Sequence, residues 1–375
     1  MAESKKRKKT PHPQRKQYSP RIRLTPTEHD LIQQYRAIKD EADKIGIDDK
    51  DVKHGWLKSK SASLFFKNPN FADGRLDVDN INFKALLSDA PRFKIEQSRT
   101  SLQTTDALFD RLVFTDIHIG MDPGNKGRGL YDIEWDEQIL LKRLEEMINW
   151  TVQNQRSRVL YIVDLGDFLD GLNGLTTRGG HILPQNMSNQ QCFDLAFKFK
   201  SSLIFNLLSF YDKIVIRNIC NDNHAGDFAY FVNSALKFYF EKHHKNVEFI
   251  NQNKFLDYEI LGEKYCFVTT HGKDAHHMKH GFKPKLDPSQ TNKILGYLSK
   301  NKLLNHNYEI IFEKGDSHQY LFDNATSNQF KYYNYPAFSP PSDWVATNFQ
   351  LGDSGFIFFN YFTNKKTIHE YFFED

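Results

Sequence analysis

Several features that would settle the class of this chain at once are scarce or missing. Only three cysteines occur among 375 residues: Cys192, Cys220 and Cys266. They are odd in number and widely spaced, which excludes a disulfide framework and a zinc-ribbon spacing and points to a reducing, intracellular setting. No apolar run approaches the roughly 20 residues of a membrane span. The first residues, MAESKKRKK, are basic, but no apolar segment of a secretory leader follows them. The expected location is therefore the cytoplasm, with no membrane partner. Net charge is also small, +3, but it hides an asymmetry. Residues 1–23 hold nine Lys or Arg and one acid (+8), so the other 352 residues carry 41 basic and 46 acidic side chains (−5). With Pro11, Pro13 and Pro20 and almost nothing apolar, this tail is expected to be disordered. Such a tail binds nucleic acid by releasing counterions, or else serves as a solubilising or address segment; both readings stand at this point.

What is present supports a sizeable core. The chain is 39% hydrophobic, enough for one large domain with additions or for two. Three regions are expected: the basic tail over 1–23, an accessory α+β segment over 24–105, and an α/β domain over 106–375. In the accessory segment Thr25, Pro26 and Glu28 mark a helix start, and Leu31, Ile32, Tyr35 and Ile38 give a narrow apolar face. No second helix follows at helix-turn-helix spacing. The stretch GWLKSKSASLFFKNPNF interleaves aromatic and basic residues, as a base-stacking surface or a short hairpin would.

From about residue 106 the rhythm changes. Strand-like apolar runs occur at 111–114, 158–163, 213–219, 247–250, 265–269 and 308–312. Amphipathic helical patterns lie between the early ones, over roughly 134–154, 189–210 and 227–243. Strand and helix in alternation imply an α/β layer architecture. The stretches 255–270, 320–338 and 355–373 are richer in strand and hairpin signals, with aromatic residues suited to sheet packing. A β-sandwich flanked by α-helices fits both halves.

Five of the six runs are followed within a few residues by side chains that bind metals. The first gives Asp116 and His118, the second Asp167 and Asp170, and the third Asn223 and His224. The fifth gives His271, and the sixth gives Asp316 and His318. A strand-end Asp alone is turn chemistry. Five such events at one end of successive strands are another matter, because in open α/β sheets those ends face the crevice where ligands bind. Carboxylate, imidazole and amide together suit Mn²⁺, Fe²⁺ or Zn²⁺ better than a soft thiolate metal. The donors are too many for one ion, and a carboxylate can bridge two.

The order D-x-H, G-D-x-x-D, N-H, H, G-x-x-H resembles that of the calcineurin-like metallophosphoesterase superfamily, over roughly 108–320. The resemblance implies a metallophosphoesterase-type β-sandwich and two divalent metal ions, with Mn²⁺ expected and Mg²⁺, Fe²⁺ or Zn²⁺ as alternatives. It implies that Asp116, His118 and His318 hold one ion, that Asn223, His271 and Asp316 hold the other, and that Asp167 bridges them. His224 would protonate the leaving oxygen or stabilise the transition state, and Asp170 would orient ligands without being one. The chain departs from the pattern twice. Asp222 stands where the family has the glycine of G-N-H, and Asp is a residue that tolerates left-handed backbone. Asp316 replaces the first histidine of G-H-x-H. It is a competent ligand that favours a harder ion, unless it turns away and leaves the second site weak.

The phrases THGKDAHHMKHG, GDSHQY and PPSDWVATNF look similar to those of a subgroup found in bacteriophages and mobile elements, which implies a host-cell cytoplasm. The subgroup resembles repair exonucleases and points to DNA or RNA. His276, His277, Lys279, His280, Lys283 and Lys285 either touch phosphates or form a solvated loop. Trp344 and Phe349 form a rim over the site or a packed loop. Three functions remain open: a nuclease or phosphodiesterase on nucleic acid, a phosphatase or phosphodiesterase for a small nucleotide or phosphoprotein, and a non-catalytic nucleic-acid-associated subunit.

Overall fold

The computed structural model describes residues 36, 54–58, 63–67, 81–95, 106–274, 276–280, 283–348 and 351–374. The basic tail, the helix start at Thr25 and the rim residue Phe349 lie outside the described residues. The chain divides into two compact units, Met1–Asp73 and Gly74–Asp375. In the first, β1 (His54–Lys58) and β2 (Ser63–Lys67) pair as an antiparallel hairpin, with Trp56 in register with Phe65.

The second unit begins with a short helix, α1 (Phe83–Ser88), capped by the Asn82 side chain. Strands β3 (Phe109–Phe114), β4 (Val159–Asp164), β5 (Lys213–Ile219) and β6 (Val247–Gln252) run parallel, each joined to the next by a helix. These helices are α2 (Glu137–Gln153), α3 (Asn189–Leu207) and α4 (Asp227–His243). The sequence dictates where two of them start: Asp136 accepts from the Ile139 amide, and Ser188 forms a reciprocal box with Gln191. Four residues after β6 the chain enters a second sheet. It contains β7 (Asp257–Leu261), β8 (Tyr265–Thr270), β9 (Glu309–Lys314), β10 (Leu321–Asp323) and β11 (Lys331–Asn334). Helix α5 (Pro288–Lys300), started by an Asp287–Gln290 box, links parallel β8 and β9. After the six-residue helix α6 (Asp343–Asn348), β12 (Gly355–Tyr361) and β13 (Lys366–Phe372) return to the first sheet. The sheet orders are β13-β12-β3-β4-β5-β6 and β10-β11-β9-β8-β7.

Period-two alternation assembles the layers. On β3, Leu112 and Phe114 pack with the helices, whereas Phe109 and Val113 pack with the other sheet. On β12, Phe356 and Phe358 face the helices, and Ile357, Phe359 and Tyr361 face the other sheet. On β8, Tyr265 and Phe267 belong to the inter-sheet core, while Cys266 and Val268 pack with Ile294 and Leu298 of α5. The result is a mixed α/β sandwich of two sheets flanked by helices. Residues 91–95 run against α3: Ser202 donates to the Pro91 carbonyl (2.6 Å), and the Phe93 amide donates to Asn206 (2.9 Å).

A buried ion cluster joins the sheets. Arg111 of β3 is fully buried, and its guanidinium donates to Glu313 of β9 at 2.5 and 3.3 Å and to Glu259 of β7 at 2.9 Å. It also lies 3.9 Å over the Phe267 ring. Asp116 follows Arg111 by five residues and Asp316 follows Glu313 by three, so the pair aligns the two strand ends that carry candidate ligands.

Candidate metal centre

The loops after β3, β4 and β5 come from one sheet, and those after β8 and β9 from the other, and they hydrogen-bond to one another. The Asp116 amide donates to the Gly166 carbonyl (3.0 Å), the His118 amide to Asp167 (2.9 Å), and the Gly315 amide to His271 (2.9 Å). Asp116, His118, Asp167, Asp316 and His318 all have left-handed backbone, with φ between 48° and 66°. Gly166, at φ 105°, has no side chain because a Cβ there would lie 2.9 Å from the His271 ring.

Each donor is aimed by what holds its other atom. Asp116 Oδ2 accepts from the Thr115 hydroxyl (2.6 Å) and the Asp316 amide (3.0 Å). Its Oδ1 is left without a hydrogen bond, 3.2 Å from His318 Nε2 and 3.6 Å from His118 Nε2. The two Nε2 atoms are 3.3 Å apart. Asp170 Oδ1 lies 3.0 Å from His118 Nδ1, and the Leu165 carbonyl 2.9 Å from His271 Nδ1. Both contacts place the ring proton on Nδ1 and leave Nε2 as the inward donor. Asp167 Oδ1 accepts from the His224 amide (3.2 Å). Its Oδ2 sits among three imidazoles, at 3.1 Å from His271, 3.7 Å from His224 and 3.9 Å from His118. Asp316 Oδ1 is 3.8 Å from His271 Nε2. Asn223 is buried, with its Oδ1 unpaired, as is Asp316 Oδ2. Asp222 is not in left-handed backbone; its Oδ1 instead accepts from the Ala225 and Gly226 amides (2.8 and 2.9 Å), closing the turn through its side chain.

These residues fit a metal centre. Three groups have ligand atoms within 4.8 Å of one another: Asp116, His118 and His318; His118, Asp167 and His224; and Asp116, Asp167 and His271. Donors about 2.0–2.2 Å from one ion lie on the order of 3–3.5 Å apart, which is the spacing of the first group. Buried acceptors without partners cost free energy unless a cation or donor meets them, and Asp116, Asn223 and Asp316 each offer one here. The charges agree. Burial favours the neutral acid at Asp116, but His318, His118 and His271 hold its carboxyl well below the usual range. Burial opposes the charged form of His271, yet Asp167 beside it pushes the imidazole up to about 10. Burial, then Asp167, pushes Asp222 up to about 6. The cluster is thus rich in negative charge that protonated imidazoles balance, and divalent cations would balance it equally well.

All nine residues singled out from the motifs meet in one region. Asp116, His118, Asp167, His224, His271 and His318 form the groups above. Asn223 and Asp316 line the same cleft, and Asp170 touches both His118 and His224, at 3.0 and 3.3 Å. The cleft holds about 680 Å³. Arg178, Lys273 and Trp344 also line it. Arg178 was missed because nothing in LTTRGG separates it from a solvated loop, yet its guanidinium donates to the Lys273 carbonyl (2.7 Å) and to Asn221 (3.1 Å). In the His- and Lys-rich stretch after His271, the cleft-lining residue is Lys273. His280 is instead buried, and burial and nearby Lys314 lower its pKa to about 3. No helix among the described residues is long and apolar enough to cross a membrane.

No family model matches the sequence, and no curated protein matches it. Among solved structures, the chain is similar to a dimetal phosphatase from Danio rerio, with 10% identity, a TM-score of 0.36, and coverage of 71% of this chain and 96% of that one. At that identity and score the likeness says nothing about what this chain does.

Proposed function

We propose that the chain is a metal-dependent phosphoester hydrolase working through two divalent cations, and that its substrates are phosphodiesters of DNA or RNA. The observation that carries the first part is the position of Asp167. Its Oδ2 lies 3.9 Å from His118 Nε2, of the loop after β3, and 3.1 Å from His271 Nε2, of the loop after β8 in the other sheet. Asp116, His118 and His318 would hold one ion, Asn223, His271 and Asp316 the other, and Asp167 both. A bound pair supplies Lewis acidity to a phosphoryl group and lowers the pKa of an attacking water.

The protein's own contribution is positional. Thr115 and the Asp316 amide fix which oxygen Asp116 presents, and the Leu165 carbonyl and Asp170 fix the tautomers of His271 and His118. His224 has a different role. Its side chain is 20% exposed, against 3% for His118 and His271 and 11% for His318. Asp170 Oδ1 lies 3.3 Å from its Nδ1 and Asp167 Oδ2 lies 3.7 Å from its Nε2, at the edge of the cluster, where the ring would donate a proton to the leaving oxygen. The nucleic-acid part rests on the basic residues of 1–23. A second reading, a small-nucleotide phosphoesterase, is favoured by the size of the cleft, which suits a ligand of nucleotide dimensions.

The test is a panel with Mn²⁺, Mg²⁺, Fe²⁺ or Zn²⁺ on single-stranded DNA, duplex DNA, RNA, cyclic nucleotides and bis(4-nitrophenyl) phosphate. Turnover that EDTA abolishes is expected. No turnover of any ester with any of the four ions would overturn the hydrolase reading and leave the non-catalytic one. Deleting residues 1–23 should weaken nucleic-acid binding and flatten its salt dependence; an unchanged salt slope removes the tail from the interface.

A further inference from the structure

One wall of the cleft is not used by the donor cluster. Trp344, on α6, is 51% exposed and lines the cleft. Lys273 lines it too, with its ammonium over one face of the Trp344 ring, 5.9 Å from the centroid. Met121, Ile182, Leu183 and Val345 give the lining an apolar part, with Ile182 86% exposed, beside polar side chains such as Asn125, Asp343 and Asn348. The segment bearing Ile182 is fixed to the metal-side loops, because the Thr177 and Arg178 amides donate to the His224 and Asn223 carbonyls at 2.8 and 3.1 Å. Arg178 then ties that segment to the Lys273 backbone. The apolar wall and the cluster are therefore built into one framework.

We infer that this wall is a nucleobase subsite: the base of a nucleotide stacks on Trp344, with its phosphate between the Lys273 ammonium and the metal cluster. This rests on the phosphoesterase reading and adds what lies beyond the phosphate. The chemistry needs a ligand with a planar apolar face at one end and an anion at the other. An aromatic ring is sequence-tolerant towards bases because every base has a π-face. The adjacent cation matches a phosphate and excludes a plain apolar ligand. The cleft volume is of the size of a nucleotide or the end of a single strand.

The test is binding by the full chain with Mn²⁺ present, using the 5′-phosphonates of adenosine and of ribose, whose C–P bond is not hydrolysed. The adenosine compound should bind roughly 5- to 100-fold more tightly than the baseless one, the range of a single base–aromatic stack. Trp344→Ala should bring that ratio towards one, and Trp344→Phe should restore most of it. Lys273→Met should weaken both ligands by a similar factor, since both carry the anion. A ratio near one in the wild type, or a ratio that survives Trp344→Ala, overturns the subsite even if esters are hydrolysed. The expected ratios without turnover of any ester would instead keep the subsite and remove the hydrolase. Tighter binding of a four-nucleotide single strand assigns the base to a strand end, and equal binding assigns it to a free nucleotide; both uphold the stack.

Discussion

Arg111→Met tests whether the ion pair between the sheets holds the strand ends in place. The substitution roughly keeps the aliphatic volume and removes the guanidinium. Glu313 then stays fully buried, with the Tyr335 hydroxyl (2.8 Å) as the partner it keeps. Glu259 is less affected, because Arg217 also approaches it (3.4 Å). Breaking a buried pair by removing one partner costs about 3–5 kcal/mol, most of it the stranded charge. For a unit of roughly 300 residues the unfolding entropy is about 0.6 kcal/mol/K, so the melting temperature should fall by about 5–8 °C. Adding Glu313→Gln removes the stranded charge and should recover at least about 2 kcal/mol. Divalent-metal affinity should follow the same order, weakened in the single variant and partly restored in the double, because Asp116 and Asp316 sit just beyond the pair. Thermal unfolding by circular dichroism and metal titration by calorimetry on the same preparations measure both. A double variant no more stable than the single would refute the stranded-charge account. Intact metal affinity in a destabilised single variant would refute the link to the cluster.

Other perturbations probe the cluster directly. Asp167→Asn should abolish hydrolysis and weaken both metal sites, since a neutral amide bridges two cations poorly; two intact sites by titration would remove the bridging role. Asp316→His should stay active and move the metal preference from Mg²⁺ towards borderline ions; loss of the second ion would show that the carboxylate was not acting as its ligand. His224→Gln should cut turnover by roughly 10²–10⁴-fold with metal content nearly unchanged, and by less on a nitrophenyl ester, whose leaving group needs little protonation. Metal loss in step with activity would make His224 a ligand, and an equal drop on both esters would take away its proton-donating role.

Strand-forming runs were legible because β-branched and aromatic residues cluster in them: RLVF, KIVIRNI and YCFVT each fall inside an observed strand. Helix α4 has the bounds its pattern implied, 227–243. Helix α5 carries both signals of a helix, a start at Asp287, Pro288 and Gln290 and an apolar stripe of Ile294, Leu295 and Leu298, and neither entered the strand-and-helix reading. The division into two sheets is not local information. The four residues between β6 and β7 switch sheets, and nothing in their composition says so. The donors were readable as types at strand ends; that five loops from two sheets meet at one cluster depends on the inter-sheet core. Trp344 stands out in PPSDWVATNF as a rim or a packed loop, whereas Arg178 and Lys273 reach the cleft only through the folded loops.

Backbone strain connects the motif spacing to the chemistry. Ten described residues other than glycine have positive φ, and five of them are Asp116, His118, Asp167, Asp316 and His318. A non-glycine residue in that region costs roughly 1–2 kcal/mol. Glycine would relieve the strain at each position but would remove the donor. D-x-H after β3 and D-S-H after β9 repeat the same conformation, with both the first and third residues left-handed, on strands of opposite sheets. The two turns meet between the sheets, with Asp116 Oδ1 3.2 Å from His318 Nε2. Strain of this size persists only where surrounding contacts over-determine it. Here they do: the Asp116, His118 and Asp316 amides are each held by a neighbouring ligand loop. The loops therefore stabilise one another's strained turns, and the donor geometry is set before any cation arrives.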